Sequence, residues 1–263
     1  MNATGSAPYL LSLKGVSKAF GANQALSGVD FEVGAGEVVA LVGDNGAGKS
    51  TLVKAIAGVQ LADQGEFCFQ GEPVKISTPQ DATALGIATV YQDLALCDNL
   101  DVVSNLYLGR EQTEAVIPGV RAIDEVSMEK TAVRLLADLH VRLPSVRRAI
   151  ATLSGGQRQS VAVTRAVMWD SKVVLLDEPT AALGVEQTRQ VKDLIGRLRE
   201  RGLALVVISH NLADVFDLCD RIIVLRLGRR VATFDIRGTN PEQVVSAITG
   251  AEFAGAPGQG GQP

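Results

Sequence analysis

The sequence predicts an α/β fold with a mostly parallel sheet covered on both faces, an antiparallel β region near the N-terminus and a helical region inserted midway. Three observations predict it. Residues 37–42 are Glu37 followed by an unbroken apolar run, as a strand buried on both faces has, and lead into a glycine-rich loop that opens a helix. From Ser154 onward, strand-like and helix-like segments alternate, the pattern of a parallel sheet with crossover helices. Between Gln92 and Ile150 the chain shows helical spacing and no long apolar strand.

The elements follow in order. Residues 9–16 alternate apolar and polar and read as a strand, and residues 29–33 read as a second, closed by the turn Gly34-Ala35-Gly36. After the glycine loop, residues 50–58 read as a helix with Gly58 as its stop. Residues 66–70, bounded by Gly65 and Gly71, read as a short antiparallel strand, and residues 87–91 as a strand leading into Gln92. Residues 124–140 place Val126, Ala132, Leu135, Leu136 and Leu139 at helical spacing. The alternation then runs through a helix to Met168, a strand at 173–176, a helix at 185–199, a strand at 204–208, a helix at 212–218 and a strand at 221–225. One domain is expected over 9–250, with the helical insertion at about 93–165. Residues 1–8 are expected to be flexible. The tail at 251–263, rich in Gly, Pro, Gln and Ala, is expected to be disordered.

Composition bounds the function. A net charge of -4 with no basic run argues against a nucleic-acid partner. The three cysteines, Cys68, Cys97 and Cys219, are scattered without metal-ligand spacing, which fits a reducing compartment. No run approaches the ~18 apolar residues of a membrane span, and the N-terminus lacks the basic and apolar regions of a signal peptide. The chain is therefore expected to be soluble alone, with any membrane role exercised through a partner.

Gly43-Asp44-Asn45-Gly46-Ala47-Gly48-Lys49-Ser50 matches the phosphate-binding pattern G-x-x-x-x-G-K-[ST] between a predicted strand and a predicted helix, the context the motif requires. Glycines let backbone N–H groups converge on phosphate oxygens, and the helix N-terminus favours an anion. Lys49 is then suited to the β- and γ-phosphates, the Ser50 hydroxyl to Mg²⁺, and Thr51 to a further phosphate contact. A chance match in a chain of this length is on the order of one in a hundred. Asp177 ends an apolar strand, and Glu178 follows it. In P-loop proteins the first position serves the magnesium, and a carboxylate at the second is placed to polarise an attacking water.

Leu153-Ser154-Gly155-Gly156-Gln157 resembles the signature of the ATP-binding cassette (ABC) ATPases. Ser154 is a good helix N-cap, and the glycines leave N–H groups exposed at a helix start. The resemblance covers residues 9–250. It implies a P-loop NTPase (RecA-like) core, binding of ATP and Mg²⁺, and a head-to-tail dimer in which Ser154, Gly155, Gly156 and Gln157 of one copy close on the triphosphate held by the other. It further implies that Gln92 contacts the metal or its water, that His210 contacts the γ-phosphate and that Phe20 stacks on adenine. His140 has no such context and reads as structural.

One departure stands out. The family usually reads Ser-Ala-Leu-Asp after Glu-Pro-Thr, whereas this chain reads Ala181-Ala182-Leu183-Gly184. That segment, together with Tyr91-Gln92-Asp93-Leu94-Ala95-Leu96 and Asn105-Leu106-Tyr107-Leu108-Gly109-Arg110-Glu111, is similar to cassettes of bacterial ribose/fructose/xylose-type sugar importers. The resemblance implies an ATPase peripheral to the cytoplasmic face of the bacterial inner or plasma membrane. Its implied partners are a second copy of itself, an integral membrane permease docking at the helical region after Gln92 and, indirectly, a periplasmic or extracellular sugar-binding protein. Competing readings are a cassette for another solute, an ABC ATPase outside transport, a P-loop phosphotransferase and an inactive nucleotide-binding cassette. The phosphotransferase has no need of the signature or of His210, and Glu178 with His210 argues against the inactive form.

Overall fold

The computed structural model describes residues 9–117 and 120–251; the expectations for residues 1–8 and for the tail beyond Ala251 lie outside them. In chain order the strands are β1 (Leu11–Phe20), β2 (Asn23–Val33), β3 (Val38–Val42), β4 (Gln64–Phe69), β5 (Glu72–Val74), β6 (Ile87–Val90), β7 (Thr113–Ile117), β8 (Val120–Ile123), β9 (Val173–Asp177), β10 (Ala204–Ile208), β11 (Arg221–Arg226) and β12 (Arg229–Asp235). The helices are α1 (Lys49–Ile56), α2 (Pro79–Ala84), α3 (Val102–Tyr107), α4 (Glu125–Asp138), α5 (Gly155–Val167), α6 (Val185–Glu200), α7 (Leu212–Leu218) and α8 (Pro241–Thr249).

A six-stranded sheet in the order β12-β11-β3-β10-β9-β6 forms the centre. Its β11, β3, β10, β9 and β6 pair in parallel, and β12 closes one edge antiparallel to β11. Residue alternation divides the core between the two faces. Val39 and Leu41 of β3 turn toward α1 and the antiparallel sheet, joining Leu52, Ile56, Leu13 and Phe31. Val38, Ala40 and Val42 turn the other way, toward Val163 of α5, Leu194 of α6, Val215 of α7 and Val244 of α8. All five residues of β3 are buried, which is why this strand reads as unbroken hydrophobicity.

The antiparallel sheet runs β2-β1-β4-β5. Its β1 and β2 extend beyond the predicted strands because bulges break the alternation: the β1–β2 register shifts between Leu13 and Val16, around Gly15 at φ 62°. Charge fastens this sheet to the central one. Glu32 of β2 receives Arg221 of β11 at 2.9 Å and Arg230 of β12 at 2.9 Å, and Arg221 also reaches Glu37 at 2.8 Å.

The inserted region differs from its sequence reading. It carries α3, α4 and the first turns of α5 around a core of its own that includes Val102, Leu106, Met128, Leu136 and Val161, but it also contains the β7–β8 hairpin. That hairpin pairs only with itself, and Glu114, Arg121 and the exposed Ile123 supply no apolar run. Elements α2, α3, β5, β12 and α8 are likewise absent from the sequence reading. Three of them are six residues or fewer. β12 alternates half-buried and exposed residues and begins with two arginines, so it lacks a strand's apolar signal.

Candidate functional site

The loop between β3 and α1 is shaped by close backbone approaches. Gly43 has φ 151°, and a Cβ there would sit 2.2 Å from the Leu225 carbonyl oxygen. Gly48 has φ 104°, and its Cβ would sit 2.7 Å from the Ala25 carbonyl oxygen. Only glycine fits either position. Gly48 is also the N-cap of α1 and brings no side-chain acceptor, so the first-turn N–H groups keep no cap of their own. Such a helix start is an anion site. Lys49 Nζ folds back on the loop, donating to the Gly43 carbonyl at 2.7 Å and the Asp44 carbonyl at 3.0 Å. Burial lowers its pKa, against the attraction of Glu178, Asp44 and Asp177.

Acidic residues face this loop. Asp177 closes β9, and burial raises its pKa, with repulsion from Glu178 adding to the effect and Lys49 and Lys54 opposing it. Glu178 stands at φ 49°, a left-handed conformation uncommon for a residue with a Cβ. Its N–H donates to the Ile208 carbonyl at 2.9 Å, tying it to the end of β10. One carboxylate oxygen, Oε1, meets His210 twice: at 2.7 Å from Nδ1 and at 3.2 Å from the backbone N–H. The Nδ1 contact requires the proton on Nδ1 and leaves Nε2 uncommitted. The imidazole is 77 % exposed and the carboxylate 14 %, so the pair reaches from a sheltered base to an open edge.

Gln92 follows β6. The loop behind it passes through two left-handed residues, Leu94 and Ala95, at φ 58° and 46°. Arg165 of α5 holds that loop, donating to the Ala95 carbonyl at 2.8 Å and the Leu94 carbonyl at 3.0 Å. Phe20 ends β1 half exposed, with Lys18 Nζ 5.7 Å from its ring centroid. Asp63 fixes the approach to it, taking Lys18 Nζ and the Ala19 N–H at 2.7 Å each.

These groups share one cleft of about 730 Å³. It is lined by all nine residues from Gly43 to Thr51, by Phe20, Gln92, Asp177, Glu178 and His210, and by Asn23, Gln24, Ala25 and Ile208. The last four carry no motif and escape sequence reasoning, as does Arg165. Among the described residues lining the cleft, none belongs to the segment Ser154-Gly155-Gly156-Gln157. That segment starts α5 elsewhere: Ser154 Oγ accepts from the Gln157 N–H at 3.3 Å, and Gln157 Oε1 accepts from the Ser154 N–H at 3.0 Å. Its glycines admit the start of α6, since a Cβ on Gly156 would lie 2.8 Å from Gln187 Cβ and one on Gly155 3.0 Å from Leu183. Gly184, by contrast, has φ -72° and open space where a Cβ would go; nothing in the structure requires glycine there. His140 follows α4 at φ 54° and lies away from the cleft.

Residues 26–181 match the family described as ABC transporter. Over 246 residues the chain is 44% identical to the fructose import ATP-binding protein FrcA of Rhizobium meliloti, a match covering 92% of this chain and 95% of that protein. It is 43% identical over 240 residues to the xylose/arabinose import ATP-binding protein XylG of Sulfolobus acidocaldarius, covering 91% and 94%. Against a ribose import ATP-binding protein of Rubrobacter xylanophilus it is 41% identical, and there 90% of this chain spans only 45% of the other. Among solved structures, an ATP-binding cassette of an ABC transporter in its ADP conformation superposes with a TM-score of 0.75 at 25% identity, covering 93% and 96%. A dimeric bacterial ABC transporter cassette superposes with a TM-score of 0.72 at 25% identity, covering 87% and 100%.

Two substitutions test this geometry. Lys49→Ala should abolish triphosphate binding, and retained affinity in a nucleotide titration contradicts the loop assignment. Asp177→Asn removes a desolvated carboxylate repelled by its neighbour. Because the raised pKa means that the charged form is disfavoured in the fold, the gain should be present at neutral pH and vanish as pH falls through the Asp177 pKa. Solvent screening keeps it small, a rise in the melting temperature of the nucleotide-free protein of about 1–2 °C, read by calorimetry across pH.

Proposed function

The chain belongs to the ABC transporter family, as an ATP-hydrolysing cassette, and we propose that it powers import of a ribose-, fructose- or xylose-type sugar through a separate membrane permease. The observation that carries this is the division of the machinery. One cleft gathers the phosphate loop with Gln92, Asp177, Glu178 and His210, while Ser154-Gly155-Gly156-Gln157 lies outside it. A second helix start suited to an anion, outside the chain's own cleft, fits a role toward another molecule. The working unit is a head-to-tail homodimer around two ATP molecules, each cleft closed by the other copy's α5. The dimeric form of a solved cassette supports this arrangement. So does the match to about half the length of the ribose-type relative, where a second copy of this chain would stand in for the remainder. The fructose and xylose/arabinose import proteins, matched almost end to end, support the sugar class.

Within each composite site, Lys49 and the loop N–H groups hold the β- and γ-phosphates, Thr51 adds a phosphate contact and Phe20 stacks on adenine. Ser50, Gln92 and Asp177 offer hydroxyl, amide and carboxylate oxygens, the hard donors that suit Mg²⁺, which is held by a few protein ligands with water and phosphate completing its shell. Burial, with repulsion from Glu178, raises the Asp177 pKa, and a bound cation would favour its charged form. When bound, magnesium supplies neutralisation of phosphate charge. Glu178 orients and polarises the attacking water, and His210, anchored on Glu178 through Nδ1, presents Nε2 toward the γ-phosphate. Positioning and electrostatics are the main tools for this chemistry.

Among the described residues no helix is long and apolar enough to cross a membrane; in this reading a separate permease supplies the passage and the cassette works at its cytoplasmic face. A groove of about 300 Å³ behind Gln92 suits its docking. Tyr91, Arg110, Arg165 and Trp169 line it, together with Val59 and Leu108, whose side chains are largely exposed. A sugar-binding protein outside the membrane would deliver the solute.

Glu178→Gln should bind ATP, accumulate as a dimer and lose a factor of about 10²–10⁴ in hydrolysis rate. Steady-state phosphate release with size-exclusion chromatography checks this; unchanged hydrolysis removes Glu178 from its role.

A further inference from the structure

Asp214 belongs to none of the motifs above. It lies in the first turn of α7, four residues beyond His210, and is only 6 % exposed. Its carboxylate joins three parts of the fold. Thr180 Oγ1 donates to Oδ2 at 2.7 Å, Asn211 Nδ2 donates to the same oxygen at 3.0 Å, and Lys192 Nζ of α6 pairs with Oδ1 at 2.5 Å. A buried carboxylate is tolerated when its oxygens are satisfied. Here two of the three partners come from the two loops that carry the cleft's chemistry. Thr180 is two residues after Glu178, and Asn211 directly follows His210.

The first of those loops needs an anchor. Glu178 and Ala182 both stand in the left-handed region, at φ 49° and 57°, and such conformations persist only where the surroundings over-determine them. Thr180 sits between them, nearly buried. Side-chain packing does not fill the space around it: a pocket of about 280 Å³ opens among Glu178, Thr180, His210 and Asp214. The hydrogen bonds to Asp214 therefore span a gap that apolar contact leaves open.

We propose that Asp214 is a positioning residue for ATP hydrolysis: by holding Thr180 and Asn211 on one carboxylate, it keeps Glu178 and His210 at the 2.7 Å contact seen in the cleft. The inference rests on the reading of Glu178 as the group that handles the attacking water. Asp214 does not line the cleft; it acts through the two loops. Lys192 bonds the opposite oxygen and reaches Asp217 as well, so it stabilises the carboxylate without belonging to either loop.

Steady-state hydrolysis by the full chain separates positioning from plain stability. Thr180→Val removes the hydroxyl at nearly constant shape; it should lower kcat by about tenfold or more with KM for ATP within about twofold, as expected when a reacting group is displaced. Thr180→Ser, which keeps the hydroxyl, should return kcat to within about twofold of the parent. Lys192→Met should lose melting temperature while keeping kcat within about twofold, because it frees neither loop. If Thr180→Val fails to fold, Asn211→Ser carries the same expectation, since serine still caps α7 but is too short to hold Asp214. Unchanged kcat in Thr180→Val, or kcat losses in Thr180→Val and Lys192→Met that track their losses of melting temperature, overturns the inference. Glu178→Gln in the same assay tells the two failures apart. Lost hydrolysis there with an unaffected Thr180→Val sinks this inference alone, whereas unaffected hydrolysis in Glu178→Gln sinks the parent reading and this one with it.

Discussion

The cleft depends on a junction of bare backbone. Gly43 lies against the Leu225 carbonyl, and Gly48 and Gly228 both lie against the Ala25 carbonyl. Hydrogen bonds lock the three segments together: Gly228 N–H donates to Ala47 O at 3.1 Å, and Ser27 N–H donates to Gly228 O at 2.8 Å. The phosphate loop, the β11–β12 turn and β2 thus meet largely backbone to backbone, with Leu26 and Ala47 packed beside the glycines. A methyl group at any of these glycines would push the loop off its supports. Because the loop is backed by backbone on one side, its N–H groups and the start of α1 face the other side, the open cleft. The same junction fixes the antiparallel sheet to the central one, which places Phe20, Asn23 and Gln24 at the cleft's edge.

On that frame the electrostatics are unbalanced by design of the fold. The ends of β9 and β10 bring Asp177, Glu178 and His210 opposite Lys49. Burial, with repulsion from Glu178, raises the Asp177 pKa, and Lys49, itself partly desolvated, opposes that shift. In the proposed function a phosphate-bound divalent cation would relieve the acidic side, and phosphate oxygens would offer partners to Lys49, which donates to loop carbonyls.

Much of this was legible in the sequence where the signal is local. The phosphate loop must be contiguous to wrap a phosphate, and a doubly buried strand such as β3 must be continuously apolar, so both can be read from a few residues. Ser154 as the N-cap of α5 is equally local, and the structure adds Gln157 as its reciprocal partner. What sequence could not give is what distance in the chain hides. Arg165 holds a loop 70 residues away, Asp214 bonds Thr180 across 34, and Asn23 to Ala25 reach the cleft only because the two sheets are joined. The β7–β8 hairpin went unread because it pairs with neither larger sheet, and β12 because it opens on two arginines and only half-buries Ala232 and Phe234. The glycines at 155 and 156 read as exposed backbone for an anion; the structure adds that they also admit α6 to close contact, so their presence alone does not separate packing from binding.

The central claim is that each chain carries two complementary halves of different sites. Mixing two inactive variants tests it directly. Lys49→Ala keeps its α5 start intact but spoils its own cleft, and Ser154→Arg does the reverse. In a head-to-tail dimer of one of each, one composite site is whole and the other is doubly broken. The account predicts that equal mixing restores ATP hydrolysis, up to about a quarter of the parent rate if copies pair at random and sites act independently. No recovery in the mixture, when each variant alone is folded and inactive, would contradict it.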